Sequence, residues 1–280
     1  MREVLVSTHA VEAVDITYRY GDHVAIDRSS FAVDAGTITA LIGPNGSGKS
    51  TILSGIAGLL SPTHGSLDVH PIGGRQRRIS YVLQTTKVND ALPITVREVV
   101  AMGRYAGKGA YGRFRRADRI AVDQAMDRMG IGQLAERHLH ELSGGQRQRV
   151  LVAQGLVQDH DVLLLDEPLS GLDLTSARAI DNVIHDEHAH GCTVVISTHD
   201  LAEARVADRV ILLAGRVVAC GPPNDVLTLE HLTEAYGPSL LHVDGERLFL
   251  DDPAHSPVPG RHIHRDRSIS VEPTGLADGG

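Results

Sequence analysis

Cysteine is nearly absent from this chain: only Cys192 and Cys220 occur, far apart and in no CxxC pattern. So few argue against a disulfide framework or a thiolate metal site and point to a reducing compartment. A basic surplus is missing as well. The formal net charge of −8 argues against nucleic acid as a partner. The cluster Arg113, Arg115, Arg116 and Arg119 reads as solvated surface. No apolar run approaches the roughly 18 residues needed to cross a bilayer. The opening Met1-Arg2-Glu3-Val4-Leu5-Val6 lacks the apolar region of a secretory signal. Any membrane-spanning part of the machinery is therefore expected on another chain. Internal repeats are absent too.

What is present suits an ordinary globular protein with a sizeable core: 280 residues, 42% apolar and 22% charged. Residues 11–33 read as short strands turned at Tyr20-Gly21-Asp22 and Asp34-Ala35-Gly36. Buried strands are expected at residues 37–42, 79–83, 162–165 and 193–196, with a helix after the first. Between them, Val122, Ala125, Met126 and Met129 fall at helical spacing, and residues 95–102 also suit a helix. Alternation of this kind predicts an α/β fold with a parallel sheet and an inserted helical subdomain. Beyond residue 236 the pattern fades, apart from a short strand expected near Leu248, and prolines multiply.

Two motifs carry chemistry. Gly43-Pro44-Asn45-Gly46-Ser47-Gly48-Lys49-Ser50-Thr51 fits G-x-x-x-x-G-K-[ST] between a predicted strand and helix. Glycines let successive N–H groups face phosphate oxygens, and the helix dipole favours the anion. Lys49 is then placed for the β- and γ-phosphates, and Ser50 for Mg²⁺. The second motif, Asp166-Glu167, ends an apolar strand at the sheet edge where ligands sit. Asp166 is expected to hold Mg²⁺ and Glu167 to deprotonate an attacking water.

Other nucleotide-hydrolysing proteins have both motifs, but Leu142-Ser143-Gly144-Gly145-Gln146 resembles the signature sequence of ABC transporter cassettes. That stretch also reads as a helix start capped by Ser143, and the two readings are compatible. Further elements follow in family order: Gln84 resembles the Q-loop glutamine, Ser170-Gly171-Leu172-Asp173 the D-loop, and His199 the switch histidine. Tyr20 resembles the aromatic residue that stacks on adenine. The resemblance covers residues 11–236. It implies the ABC ATPase fold: an N-terminal antiparallel β subdomain, a core over residues 11–84 and 151–236, and a helical subdomain over 85–150. A largely flexible extension follows over 237–280.

The same resemblance implies ATP and Mg²⁺ as ligands. It counts Lys49, Gln84, Glu167 and His199 as catalytic, and Ser50, Gln84 and Asp166 as Mg²⁺ ligands. Two cassettes would pair head to tail as a homodimer, so that Ser143, Gly144, Gly145 and Gln146 meet the ATP of a partner chain. One departure is Gln154, where many members carry arginine.

Residues 92–105, 221–228 and 232–237 resemble most the cassettes of zinc, manganese and iron importers, and next those for siderophores, haem and cobalamin. An importer would add a membrane permease contacting residues near 85–105 and an extracytoplasmic substrate-binding protein. The chain would then lie in the cytoplasm, on the inner face of the plasma membrane. A soluble ATPase acting on a protein complex, and a cassette that binds ATP without turning it over, are the alternatives. His185, His188, His190, His262 and His264 read as surface histidines rather than a metal site.

Overall fold

A computed structural model of the chain describes residues 8–84, 93–105, 113–237, 241–244 and 247–250. Two 12-residue strands, β1 (His9–Tyr20) and β2 (His23–Asp34), form an antiparallel hairpin through the Gly21 turn. These are longer than the short strands expected. Register shifts interrupt the pair, and Asp15 and Arg28 adopt left-handed φ of 49° and 29°. Such bulges break the alternation of apolar and polar residues without ending the strands.

The chain then enters the wholly buried β3 (Ile38–Ile42), passes the glycine-rich loop and forms α1 (Lys49–Ile56). Strand β4 (His64–Val69) pairs with β1 and completes a three-stranded antiparallel sheet. Strand β5 (Ile79–Val82) follows. Then come the helices α2 (Val96–Met102), α3 (Arg116–Arg128) and α4 (Gly144–Leu156). Thr95 caps α2 reciprocally with Glu98, satisfying end groups that would otherwise face no partner. Val96, Val99, Val100, Val122, Ala125, Met126, Met129 and Val150 are all buried in one cluster. Helix α4 runs unbroken past residue 150, where a subdomain boundary was expected, and its Gly155 carbonyl accepts from the Ser80 hydroxyl of β5 at 2.9 Å.

After α4 come β6 (Val162–Asp166), α5 (Leu174–Ala189), β7 (Thr193–Thr198), α6 (Leu201–Val206), β8 (Arg209–Leu213) and β9 (Val217–Gly221). The main sheet has the order β5-β6-β7-β3-β8-β9, parallel except at the antiparallel edge β9. Its two faces divide the core. Ala40, Ile42, Leu163, Leu165, Val194 and Ile196 lie in the cluster that includes the helices α2 to α5. Leu41, Val162, Leu164, Val195 and Ile211 share the other cluster with Ile52 and Ile56 of α1 and with the β1–β2 hairpin. Burying each such side chain is worth about 2 kcal/mol, so the sheet edge is held rigidly.

Two short helices, α7 (Pro223–Val226) and α8 (Leu229–Tyr236), pack against β8 and β9, and the hairpin β10 (Leu241–Asp244) and β11 (Arg247–Leu250) ends the described chain. The strand expected near Leu248 is part of β11. Residues 85–92, and the tail beyond 250 with His262 and His264, lie outside the described residues. No helix among the described residues is long and apolar enough to cross a membrane.

Candidate functional site

Between β3 and α1 the backbone must turn sharply against β8 and β2, which leaves no room for side chains at two positions. A Cβ at Gly43 would lie 2.2 Å from the Leu213 carbonyl oxygen. Gly48, the N-cap of α1, has φ +99°, and a Cβ there would lie 2.3 Å from Ile26. Only glycine meets both demands. The loop closes through Ser47 N–H donating to the Pro44 carbonyl at 3.1 Å. Asn45, Gly46 and Ser50 are exposed on the loop, and Thr51 is buried behind it. The Tyr20 hydroxyl, at the end of β1, lies 3.4 Å from Thr51 Oγ1 while half of the residue stays open to solvent.

Lys49 folds back over the loop. Its ammonium donates to the carbonyls of Gly43 at 2.9 Å and Pro44 at 3.3 Å and stands 3.7 Å from Glu167 Oε1. Burial pushes this ammonium below the ordinary lysine range, while Glu167 and Asp166 oppose the shift. The buried Ser47 hydroxyl has no hydrogen-bond partner among the described residues. A buried cation gripping only carbonyls and one acid, beside an unpaired hydroxyl and a helix N-terminus, suits an anion with several oxygens.

The acids come from β6. Asp166 ends the strand, and Glu167 follows in the left-handed region at φ 47°, a conformation that costs a non-glycine residue about 1–3 kcal/mol. Ser197 of β7 holds both. Its hydroxyl donates to Asp166 Oδ1 at 2.5 Å and accepts from the Glu167 N–H at 2.8 Å. The Tyr81 hydroxyl donates to the other Asp166 oxygen at 3.4 Å, and burial pushes that phenol up to about 12, so it remains a donor. Gln84 Nε2 donates to Glu167 Oε2 at 2.8 Å. Lys49, Gln84, Asp166 and Glu167 thus converge on one end of the sheet. His199 follows β7 directly, beside Thr198, whose hydroxyl donates to Glu203 at 2.5 Å and accepts from the Asp200 N–H.

A second group lies around the starts of α4 and α5. Ser143 and Gln146 cap each other, Ser143 N–H to Gln146 Oε1 at 3.0 Å and Gln146 N–H to Ser143 Oγ at 3.3 Å. Asp173 caps α5 by accepting from the N–H and the hydroxyl of Ser176 at 2.9 and 2.8 Å, which holds its carboxyl below the usual range. Gly145 sits against them: a Cβ there would lie 2.5 Å from Asp173 Oδ2. Ser143, Gly144, Gly145, Gln146 and Asp173 are therefore gathered with each other around the starts of α4 and α5.

Sequence reasoning missed Ser197, Tyr81 and Glu203. The parallel register pairs Asp166 with Ser197, so aligning the two buried runs end to end could have found that hydroxyl.

A family profile described as ABC transporter matches residues 26–170. The chelated iron transport system membrane protein of Yersinia pestis is 39% identical over 248 residues, 86% of this chain and 83% of that one. The zinc transport system ATP-binding protein of Treponema pallidum is 37% identical over 240 residues, 85% of this chain and 90% of that one. Among solved structures, a metal-chelate type ABC transporter in an inward-facing conformation is similar with a TM-score of 0.73 at 27% identity, over 86% of this chain and 95% of that one.

Proposed function

The chain belongs to the ABC transporter family as an ATP-binding, ATP-hydrolysing subunit, and on that premise we propose that it powers import of a metal cation (zinc, manganese or iron) through a separate membrane permease. The cargo reading rests on the zinc and chelated-iron transport relatives, which this chain matches over more than four fifths of their length. The metal-chelate transporter neighbour favours a second reading, import of a metal chelate such as a siderophore, haem or cobalamin.

The observation that carries the chemistry is the convergence of Lys49, Gln84, Asp166 and Glu167 behind the glycine loop. ATP would replace the Gly43 and Pro44 carbonyls as the partner of the Lys49 ammonium, with loop N–H groups facing its phosphates. Tyr20, exposed beside the start of α1, would stack on the adenine. Asp166, Ser50 and the oxygen of Gln84 form an all-oxygen donor set, which fits Mg²⁺. That ion would neutralise phosphate charge. Glu167, fixed by Ser197 and Gln84, would orient the attacking water and take its proton, and His199 would meet the γ-phosphate.

Ser143, Gly144, Gly145, Gln146 and Asp173 would act on the nucleotide of a second copy, making a head-to-tail homodimer. The permease would contact the surface near residues 85–105, of which 93–105 are described. An extracytoplasmic substrate-binding protein would deliver the cargo, with the chain itself on the inner face of the membrane.

The test is the zinc, manganese and iron content of cells lacking the chain, rescued by wild type or by Glu167→Gln. Loss of one metal, restored only by wild type, is expected. Unchanged metals in metal-poor medium would turn the reading to chelates.

A further inference from the structure

At the edge of the sheet opposite the acids, three ligand-type side chains meet away from the nucleotide cluster. His160 precedes β6, Glu187 lies in the last turn of α5 and Cys192 precedes β7. Strands β6 and β7 are paired neighbours with Val162 opposite Thr193, so the residues just before them are brought side by side. His160 Nε2 lies 3.1 Å from Glu187 Oε2, and the ligand atoms of all three residues lie within 4.8 Å of one another. The side chain of His160 is 6% exposed and that of Glu187 13%, and Cys192 is buried and free of any disulfide.

We propose that His160, Glu187 and Cys192 form a zinc-binding site at the base of the sheet. A thiol excludes the hard cations that suit an all-oxygen site, and thiolate, imidazole and carboxylate together are a zinc donor set. Tetrahedral bonds of about 2.0–2.3 Å place ligand atoms roughly 3.5 Å apart, so closing on an ion requires a contraction of about an ångström. A thiolate and a carboxylate supply two negative charges against the dication.

The surroundings are those of a held site. His160 Nδ1 lies 2.8 Å from the Gln158 carbonyl, which turns Nε2 toward the other two. Glu187 Oε1 accepts from Arg128 at 2.6 Å, leaving Oε2 toward the site. The backbone ties the segments together: Cys192 N–H donates to the Glu187 carbonyl and Thr193 N–H to the Asp161 carbonyl, both at 3.0 Å. Partial exposure of Glu187 leaves an entry path. The site stands independently of the cargo reading, and α5, which carries Glu187 near its end, is capped at its start by Asp173.

The test uses the full chain with Cys220→Ser, which removes the exposed second thiol, stripped of metal and titrated with cobalt(II) and then zinc. One equivalent of cobalt should give a thiolate-to-metal charge-transfer band with tetrahedral d–d absorption, and zinc should displace it. Oxygen donors of the nucleotide site, or histidines elsewhere, give no thiolate band. Adding Cys192→Ala should abolish the band, weaken zinc binding by about 100-fold or more, and leave ATP binding unchanged. Glu187→Gln should keep the band and weaken binding by about 10-fold, a readout that survives if the cysteine variant does not fold. No band in the folded Cys220→Ser chain would overturn the proposal and leave the trio as a buried ion pair beside a thiol.

Discussion

One hydroxyl, that of Ser197, orients both acids at the sheet edge, donating to Asp166 and accepting from the backbone N–H of Glu167. The second bond matters more than its energy suggests, because Glu167 sits in a strained left-handed conformation that its surroundings must enforce. Ser197→Ala leaves a buried carboxylate and a backbone donor each short of a partner, a loss of about 1–3 kcal/mol. It should therefore lower kcat for ATP hydrolysis by about 10- to 100-fold while the nucleotide dissociation constant stays within a few-fold. An unchanged kcat would mean that Gln84 alone sets the carboxylate.

At the scale of elements, the corner between β7 and α6 carries a carboxyl that titrates near neutral pH. Burial pushes the Glu203 carboxyl up to about 7, with Asp200, Asp181 and Glu167 adding to the shift and the Thr198 hydroxyl opposing it. A carboxyl raised in the folded state binds its proton more tightly there than in the unfolded chain. Its stabilising effect is then complete below about pH 4.5 and is lost as pH rises to about 7. Glu203→Gln should remove that slope. The Tm of the variant should gain on wild type across this window, reflecting on the order of 3 kcal/mol at neutral pH. Parallel Tm–pH curves for the two proteins would refute the assignment. The contact between α4 and α5 is tighter still. Gly145→Ala places a Cβ 2.5 Å from Asp173 Oδ2 and 2.6 Å from Ser176 Oγ, so either the Asp173–Ser176 cap or the start of α4 must shift. Hydrolysis should fall at least about 10-fold, with nucleotide binding at the Lys49 loop retained. Full activity would show that this junction tolerates displacement.

For the whole molecule, the informative feature is that the candidate site residues gather in two groups. The lysine–carboxylate cluster and the Ser143–Asp173 group each form around their own strand and helix ends, and a single chain offers one of each. Pairing two copies head to tail would complete both at once. With Glu167 in its proposed role as general base, Glu167→Gln should slow hydrolysis, typically by a factor of about 10²–10⁴, and so hold ATP and accumulate as a dimer. Light scattering after size exclusion should give twice the chain mass with Mg²⁺ and ATP, and the single-chain mass without them. Lys49→Ala should stay monomeric under both conditions. A monomer of Glu167→Gln at saturating ATP would remove the head-to-tail arrangement.

Contiguous stretches of sequence determined the phosphate loop, the Asp166-Glu167 strand end and the Ser143 cap, because each depends on hydrogen bonds and backbone angles within a few residues. The same holds for the Thr95 cap of α2 and the buried strands, which appear close to where their apolar runs place them. Fold class was legible for the same reason: alternating buried runs and helical stretches admit few architectures. Only tertiary structure decided which face of β3 or β6 meets the helices and which meets the β1–β2 hairpin, since a fully apolar strand carries no mark of its sides. Pairing of β6 with β7 likewise brought Ser197 to Asp166 across 31 positions and Cys192 to His160, neither visible from spacing. Scarce cysteine argued against a thiolate site, and the zinc site proposed on one thiol sets the cobalt titration against that expectation. Such contacts follow from long-range packing, which buries whole faces together and leaves local sequence only to permit them.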